Sequence, residues 1–242
     1  PDNMIVTITG NTDKISKELI MKYFGKYKNE GTYTKVPFSQ INPNATGKTV
    51  HKDIEQIHFY LSYPGLRALG MGKETIEVVD YILGEGMSSR LFQTVREEKG
   101  YCYSIYTQNI NMEESGSYAV GCSCSPEHTH DAIKTILKEV KEVGLGKVSK
   151  KELTKAKEKF LTKTQLAMER PSFISGYNAE SLIYGNVIPD INKTIEVANT
   201  VTEKDIKTLL ADRIWKDVRP TFYTVGNLNL KDFHKIESIL KS

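Results

Sequence analysis

Cysteine is scarce in this 242-residue chain, and its three copies, Cys102, Cys122 and Cys124, are an odd number. That argues against a disulfide framework. It fits a reducing compartment, and a cytoplasmic location is the expectation. Cys122 and Cys124 stand two apart in a β-rich run, so their side chains share a face and read as small buried hydrophobes rather than a metal pair. Long apolar runs are missing too. None approaches the roughly 18 residues a helix needs to cross a bilayer, so no membrane span is expected. No basic segment followed by an apolar stretch is visible near Pro1, so no secretory signal is read there. The chain opens on Pro-Asp, as an excised piece of something longer would. Charge of one sign is not in excess: 33 Lys and Arg face 30 Asp and Glu, a net charge of +3 with no basic block. Sequence-independent nucleic-acid binding is thereby excluded. Several catalytic signatures are also absent. There is no P-loop, no G-x-G-x-x-G opening a helix, and no G-x-S-x-G elbow. Histidines occur at 51, 58, 128, 130 and 234 and form neither H-E-x-x-H nor H-x-x-E-H. His128 and His130 sit two apart at a helix start, on different faces, and read as exposed non-ligands. No metal site can be assembled from this chain.

What remains is an ordinary globular composition, 39% hydrophobic and 26% charged, long enough to bury a substantial core. Met4 to Gly10 is β-branched and reads as a strand. Ile15, Leu19, Ile20, Tyr23, Phe24 and Tyr27 recur at helical spacing after it. A polar connector from Lys28 to Asp53 follows, with Gly31, Pro37, Pro43 and Gly47. Gln56 to Tyr63 alternates apolar and polar residues and ends at Pro64-Gly65, a strand in which His58 packs or stands half-exposed. Lys73 to Leu83 is a helix. Tyr103 to Met112 and Ser117 to Cys124 flank the turn Glu113-Glu-Ser-Gly116 as a hairpin. Ser125-Pro126 starts a helix that Gly144 and Gly146 close. Ser149 to Glu169 is a long lysine-rich helix whose charges read as a solvated face. Ser172 to Tyr184 and Val201 to Arg213 are helical, Arg219 to Gly226 is a last strand, and Asp232 to Leu240 a closing helix. No repeat, low-complexity tract or domain break stands out. The helices cluster without regular alternation with the strands. That order implies one α+β domain over residues 1–242: a mostly antiparallel sheet with helices packed on one face.

The chain is organised around Leu83-Gly-Glu-Gly-Met-Ser-Ser-Arg-Leu-Phe-Gln-Thr-Val-Arg-Glu-Glu-Lys-Gly-Tyr-Cys-Tyr103. Gly84 and Gly86 end one helix. Ser88 or Ser89 is placed to cap the next, which runs from about Ser88 to Lys99 and stops at Gly100. Arg96 lies in its last turn, seven residues before Tyr103, and the intervening reversal can bring guanidinium and phenol to the same side. Taken alone, this pair also fits an arginine capping helix carbonyls and a tyrosine packed at a strand end.

The run from Gly86 to Ser104 resembles a signature of the pitrilysin/insulinase family of zinc peptidases, which includes the mitochondrial processing peptidase subunits. Met4 to Asp13 resembles the opening strand of the family's second α/β unit, Glu55-Gln56-Ile-His its second strand, and Gly116 to Pro126 its hairpin return. The resemblance implies half of a clamshell built from homologous α/β units around a closed chamber. One unit of such enzymes holds zinc on H-x-x-E-H. The facing unit supplies an arginine and a tyrosine seven residues apart, which Arg96 and Tyr103 match; their implied role is to bind substrate carbonyls and assist catalysis. This chain then implies a substrate-binding half whose zinc belongs to a homologous unit, in the same polypeptide or in a partner subunit. Peptides would be the substrate, and the assembly one chain, a homodimer or a heterodimer. A non-catalytic scaffold subunit of the same family is the alternative. The long glycine-rich loop of mitochondrial non-catalytic subunits is reduced here to Gly84 and Gly86, and both Arg96 and Tyr103 are kept.

Overall fold

The computed structural model describes residues 4–28, 31, 47–185, 187–188 and 190–241. Period-two patterning builds the centre. In Ile57–Pro64 (β2) every first residue of each pair is buried, Ile57, Phe59, Leu61 and Tyr63, while His58 and Tyr60 are exposed. β2 pairs antiparallel with the return strand of the hairpin, Gly116–Cys124 (β4), which pairs with its partner Cys102–Asn111 (β3). On the other side of β2 runs Thr221–Gly226 (β5), again antiparallel. A short strand Lys48–His51 (β1) adds parallel to β5, giving the order β1-β5-β2-β4-β3. The sheet is mostly antiparallel, as the sequence implies.

One face of this sheet carries the core. Phe59, Leu61, Tyr118, Val120, Cys122 and Phe222 meet helices Lys73–Leu83 (α2), Thr129–Gly144 (α3), Glu203–Leu209 (α7) and Leu230–Lys241 (α8) through Ile76, Val79, Ile133, Ile136, Ile206 and Ile236, all essentially excluded from solvent. Trp215 closes one end. Its ring lies 5.0 Å from Tyr63 and 5.5 Å from Tyr118, and its indole nitrogen donates to the Pro64 carbonyl at 3.1 Å, satisfying the polar end of a large apolar body. Helices Lys150–Met168 (α4), Pro171–Gly185 (α5) and Ile191–Thr200 (α6) form an outer layer. A capping box starts α4: Glu152 N–H donates to the Ser149 hydroxyl while Ser149 N–H donates back to Glu152, satisfying two otherwise unpaired amides. On the opposite face Val50, Tyr60, Tyr106, Tyr223 and Val225 are exposed.

Four details depart from the sequence expectations. Met4 to Gly10 joins no strand of the sheet and is largely exposed. β1 falls inside the stretch read as a connector; its Lys-Thr-Val-His composition carries no strand signal, since edge pairing rather than burial makes it a strand. The rest of that connector, residues 29–30 and 32–46, lies outside the described residues. The helix before Gly100 is a wide π-type turn over Phe92–Glu98. Neither serine caps it: the Ser88 hydroxyl accepts from Lys159, and the buried Ser89 hydroxyl has no partner among the described residues.

Candidate functional site

Arg96 and Tyr103 come together through two local irregularities, each adding one residue to a regular element. The first is the π-type turn Phe92–Glu98, held by the fully buried Val95 and followed by a reversal in which Gly100 N–H donates to the Arg96 carbonyl and Tyr101 N–H to the Val95 carbonyl, both at 3.0 Å. Gly100 has φ +64°, a conformation that costs any residue with a Cβ roughly 1 kcal/mol or more. The second is a register shift in β3 between Cys102 and Ser104: these two pair with Cys124 and Ser123, leaving Tyr103 outside the ladder. A bulge of this kind re-aims a side chain, and Tyr103 is 72% exposed beside the buried Cys102.

Between the two lies a short cation–π arrangement. The Arg96 guanidinium carbon is 4.7 Å from the Phe92 ring centroid and 5.8 Å from that of Tyr103. Its one ionic neighbour given by the structure, Glu97, stands at 3.8 Å with both side chains well exposed, so that pair is worth little. The guanidinium is therefore positioned by aromatic faces, and among the described residues its N–H donors make no hydrogen bond.

The segment that carries the pair is anchored to α4 and the loop before it by its own Arg90 and by lysines of α4. Arg90, mostly buried, donates to Glu152 Oε1 at 2.8 Å and to the Lys147 carbonyl at 3.0 Å, with Glu139 3.8 Å away. Lys159 donates to the Ser88 hydroxyl at 2.7 Å, Lys163 binds the Glu85 carboxylate, and Gln93 holds the Met87 carbonyl. The lysines of α4 are thus not all a solvated face: Lys159 and Lys163 grip the glycine-broken loop. Only their four-residue spacing hints at this in the sequence.

The three cysteines converge below the pair. Cys102 and Cys124 are cross-strand partners and Cys122 lies two residues along; all are buried and free. A hydrogen bond from Cys122 holds Cys102 below the usual thiol range, and the nearby Arg96 charge adds to this, while accepting the opposite role pushes Cys122 far up. Adjacent buried thiols of opposite tendency in a dry layer behave as packed core groups. Among the described residues no group of three or more His, Cys, Asp or Glu is arranged to hold a metal ion. The histidines are dispersed: His128 stacks on Tyr101, and His130 and His234 face Asp232 and Glu237. These donors do not fit a catalytic zinc. No helix among them is long and apolar enough to cross a membrane. The roughly 1010 Å³ groove between α2, α4 and α5 is lined by neither Arg96 nor Tyr103.

Comparison with known proteins agrees with this fold. A structure described as a protease from Helicobacter pylori superimposes with a TM-score of 0.77 at 20% identity, over 89% of this chain and 53% of that one. A peptidase M16 inactive domain from Pseudomonas fluorescens gives 0.73 at 17% identity, over 82% and 48%. In sequence, an uncharacterized zinc protease of Streptomyces coelicolor is 24% identical over 98% of this chain and 52% of its own length. The uncharacterized zinc protease YmxG of Bacillus subtilis is 27% identical over 90% and 53%. The chain therefore spans about half the length of the curated relatives it matches. The family described as Peptidase M16 inactive domain matches residues 1–160, and the chain belongs to that family.

Proposed function

We propose that this unit is the substrate-binding half of a zinc-dependent metalloendopeptidase, with Arg96 and Tyr103 contacting the peptide backbone and the zinc held by a homologous unit of the same polypeptide or of a partner subunit. The observation that carries the reading is the juxtaposition itself: an arginine 5.8 Å from an exposed tyrosine ring, the one in a π-type turn and the other at a bulge. In an extended peptide, carbonyls on one edge repeat about every 6.6–6.8 Å, a spacing that a guanidinium and a neighbouring phenol can span. Arg96 donates to a main-chain carbonyl and fixes the peptide's register. Tyr103 donates to the carbonyl under attack, where its hydrogen bond strengthens as negative charge develops on oxygen. The sheet face on which Tyr60, Tyr106 and Tyr223 are exposed borders the chamber in this reading.

The test is steady-state cleavage of an unstructured peptide by the complete enzyme. Arg96→Ala and Tyr103→Phe are each expected to lower kcat/KM by a factor of about 10 to 1,000 with the fold intact. Unchanged kinetics in both variants would remove the assignment and leave the family's scaffold role.

A further inference from the structure

The first described stretch of the chain does not belong to this unit's core. Met4, Ile5, Val6, Ile8, Leu19, Met21, Tyr23, Phe24 and Tyr27 are all about 40% exposed or more, and the helix Lys17–Phe24 (α1) buries no residue. Thr7 touches α5, its hydroxyl 2.8 Å from that of Ser175. In an extended run the side chains of Val6 and Ile8 then point the other way.

What this stretch is built for can be read from the other end of the molecule. Superposing Gly10 on Gly226 aligns Ile5–Gly10 with β5, and the next residue is asparagine in both. Val6 and Ile8 then stand at the positions of Phe222 and Thr224, the two buried side chains of β5. Ile20, Tyr23 and Phe24 stand at the positions of Ile236, Ile239 and Leu240, with which α8 packs onto the core. The two glycines share a rare backbone conformation, φ +134° at Gly10 and +145° at Gly226. At Gly226 a side chain has no room, since a Cβ there would lie 2.8 Å from the carbonyl oxygen of Gln56, the residue before β2. A Cβ added at Gly10 would meet nothing within 4 Å among the described residues. The same strand–glycine–helix device thus occurs twice, once seated and once with its apolar positions in solvent.

We infer that residues 4–27 are the closing strand and helix of a second sheet of this same architecture, that of the homologous zinc-binding unit, and dock there as β5 and α8 dock here. β5 lies between a parallel strand, β1, and an antiparallel one, β2. Ile5–Gly10 accordingly inserts between a parallel and an antiparallel strand of that sheet, with Val6 and Ile8 toward its helices. An exposed strand with open amides and an apolar face is a template for this kind of pairing. The inference rests on the existence of the homologous unit proposed above and makes the junction between the units a shared element rather than a linker. The stretch read as the opening strand of this unit is reassigned by it.

Hydrogen exchange of residues 5–9 tests this, in the chain alone and in the protein that contains both units. Fast exchange in the chain alone and exchange slowed at least about 100-fold in the complete protein are expected. Equal exchange in both, or protection in the chain alone, would overturn it; protection that grows with concentration of the chain alone would assign the surface to a second copy instead. In the complete protein, Ile8→Asp should speed exchange in the zinc-binding unit and lower its zinc content while leaving Ile57–Pro64 unchanged; faster exchange in Ile57–Pro64 would overturn the inference. Loss of the substrate-binding assignment, read from turnover of the Arg96 and Tyr103 variants, would leave these exchange results standing.

Discussion

Replacing Arg90 with leucine tests whether the Arg96–Tyr103 pair is positioned from α4. Arg90 lies six residues before Arg96, its side chain is 14% exposed, and it makes two hydrogen bonds of 2.8 and 3.0 Å, one to the Glu152 carboxylate and one to the Lys147 carbonyl. A hydrogen bond involving a charged group contributes about 1.5–3 kcal/mol, and leucine recovers part of the loss through its apolar surface. A net destabilisation of about 2–3 kcal/mol is expected, which lowers the unfolding midpoint of a domain this size by about 4–12 °C. Thermal unfolding followed by circular dichroism measures it. The pH dependence identifies the partner. Burial alone would raise the Glu152 carboxyl, but the Ser149 hydroxyl, the Ser149 amide and Arg90 outweigh it and hold Glu152 below the usual range. A carboxylate lowered in the folded state contributes stability above its unfolded pKa, about 4.3, and loses it as pH falls through the folded value. The gap between wild type and Arg90→Leu is therefore full at pH 7 and narrows below about pH 4. A midpoint change under 2 °C at pH 7, or a gap that stays constant on acidification, would refute the anchoring role.

Three further outcomes follow from the core and the reversal. Gly100→Ala adds a Cβ with nothing within 4 Å but at φ +64°, so the cost is backbone strain alone, about 1 kcal/mol and 2–4 °C in the unfolding midpoint; a loss above 3 kcal/mol would mean a contact has been overlooked. Glu77 is raised chiefly by burial, then by Asp80. A raised carboxyl favours the fold below its unfolded pKa and penalises it as pH rises through the folded value. Glu77→Gln should therefore raise the unfolding midpoint at pH 7 and leave it unchanged near pH 3, and equal effects at both would contradict this. The thiols of Cys102, Cys122 and Cys124 are buried, so a thiol reagent should label them at least about 100-fold faster in denaturant than in the native protein; rapid native labelling of any of them would refute the packed arrangement.

The elements that bury a face with strict period were legible in the sequence. β2 and α3 each repeat apolar residues at the spacing their geometry demands, the hairpin and β5 are β-rich runs bounded by turn residues, and Ser125-Pro126 marks the start of a helical segment. What was illegible depends on partners distant in sequence. β1 has one apolar residue and owes its existence to pairing with β5; α6, by contrast, is absent from the sequence expectations although Asp190 caps it and Ile191, Ile195 and Ala198 fall at helical spacing. The site divides the same way. Arg96 and Tyr103 stand out by resemblance, since composition and spacing leave them open to a purely structural role. The π-type turn and the bulge that bring them together are one-residue deviations that no periodicity announces, and the grip of Lys159 on Ser88 crosses 71 residues of chain.

If those deviations serve the pair, lengthening the reversal should separate function from fold. One extra glycine inserted between Lys99 and Gly100 falls in an exposed turn, where Glu97, Glu98, Lys99 and Gly100 all face solvent. It disturbs the two turn hydrogen bonds from Gly100 and Tyr101, at about 1 kcal/mol each, while the added loop closure entropy is a few tenths. The unfolding midpoint should fall by no more than about 8 °C. Meanwhile the constraint that keeps the guanidinium over the Tyr103 ring is released, and displacement of a positioned donor by about 1 Å is enough to cost about 100-fold in rate. In the complete enzyme the insertion should therefore lower kcat/KM nearly as far as Arg96→Ala. Adding Arg96→Ala to it should then lower the rate little more, because two changes that break the same interaction are not additive. Full additivity would show that the seven-residue spacing carries no functional meaning and that arginine and tyrosine act apart.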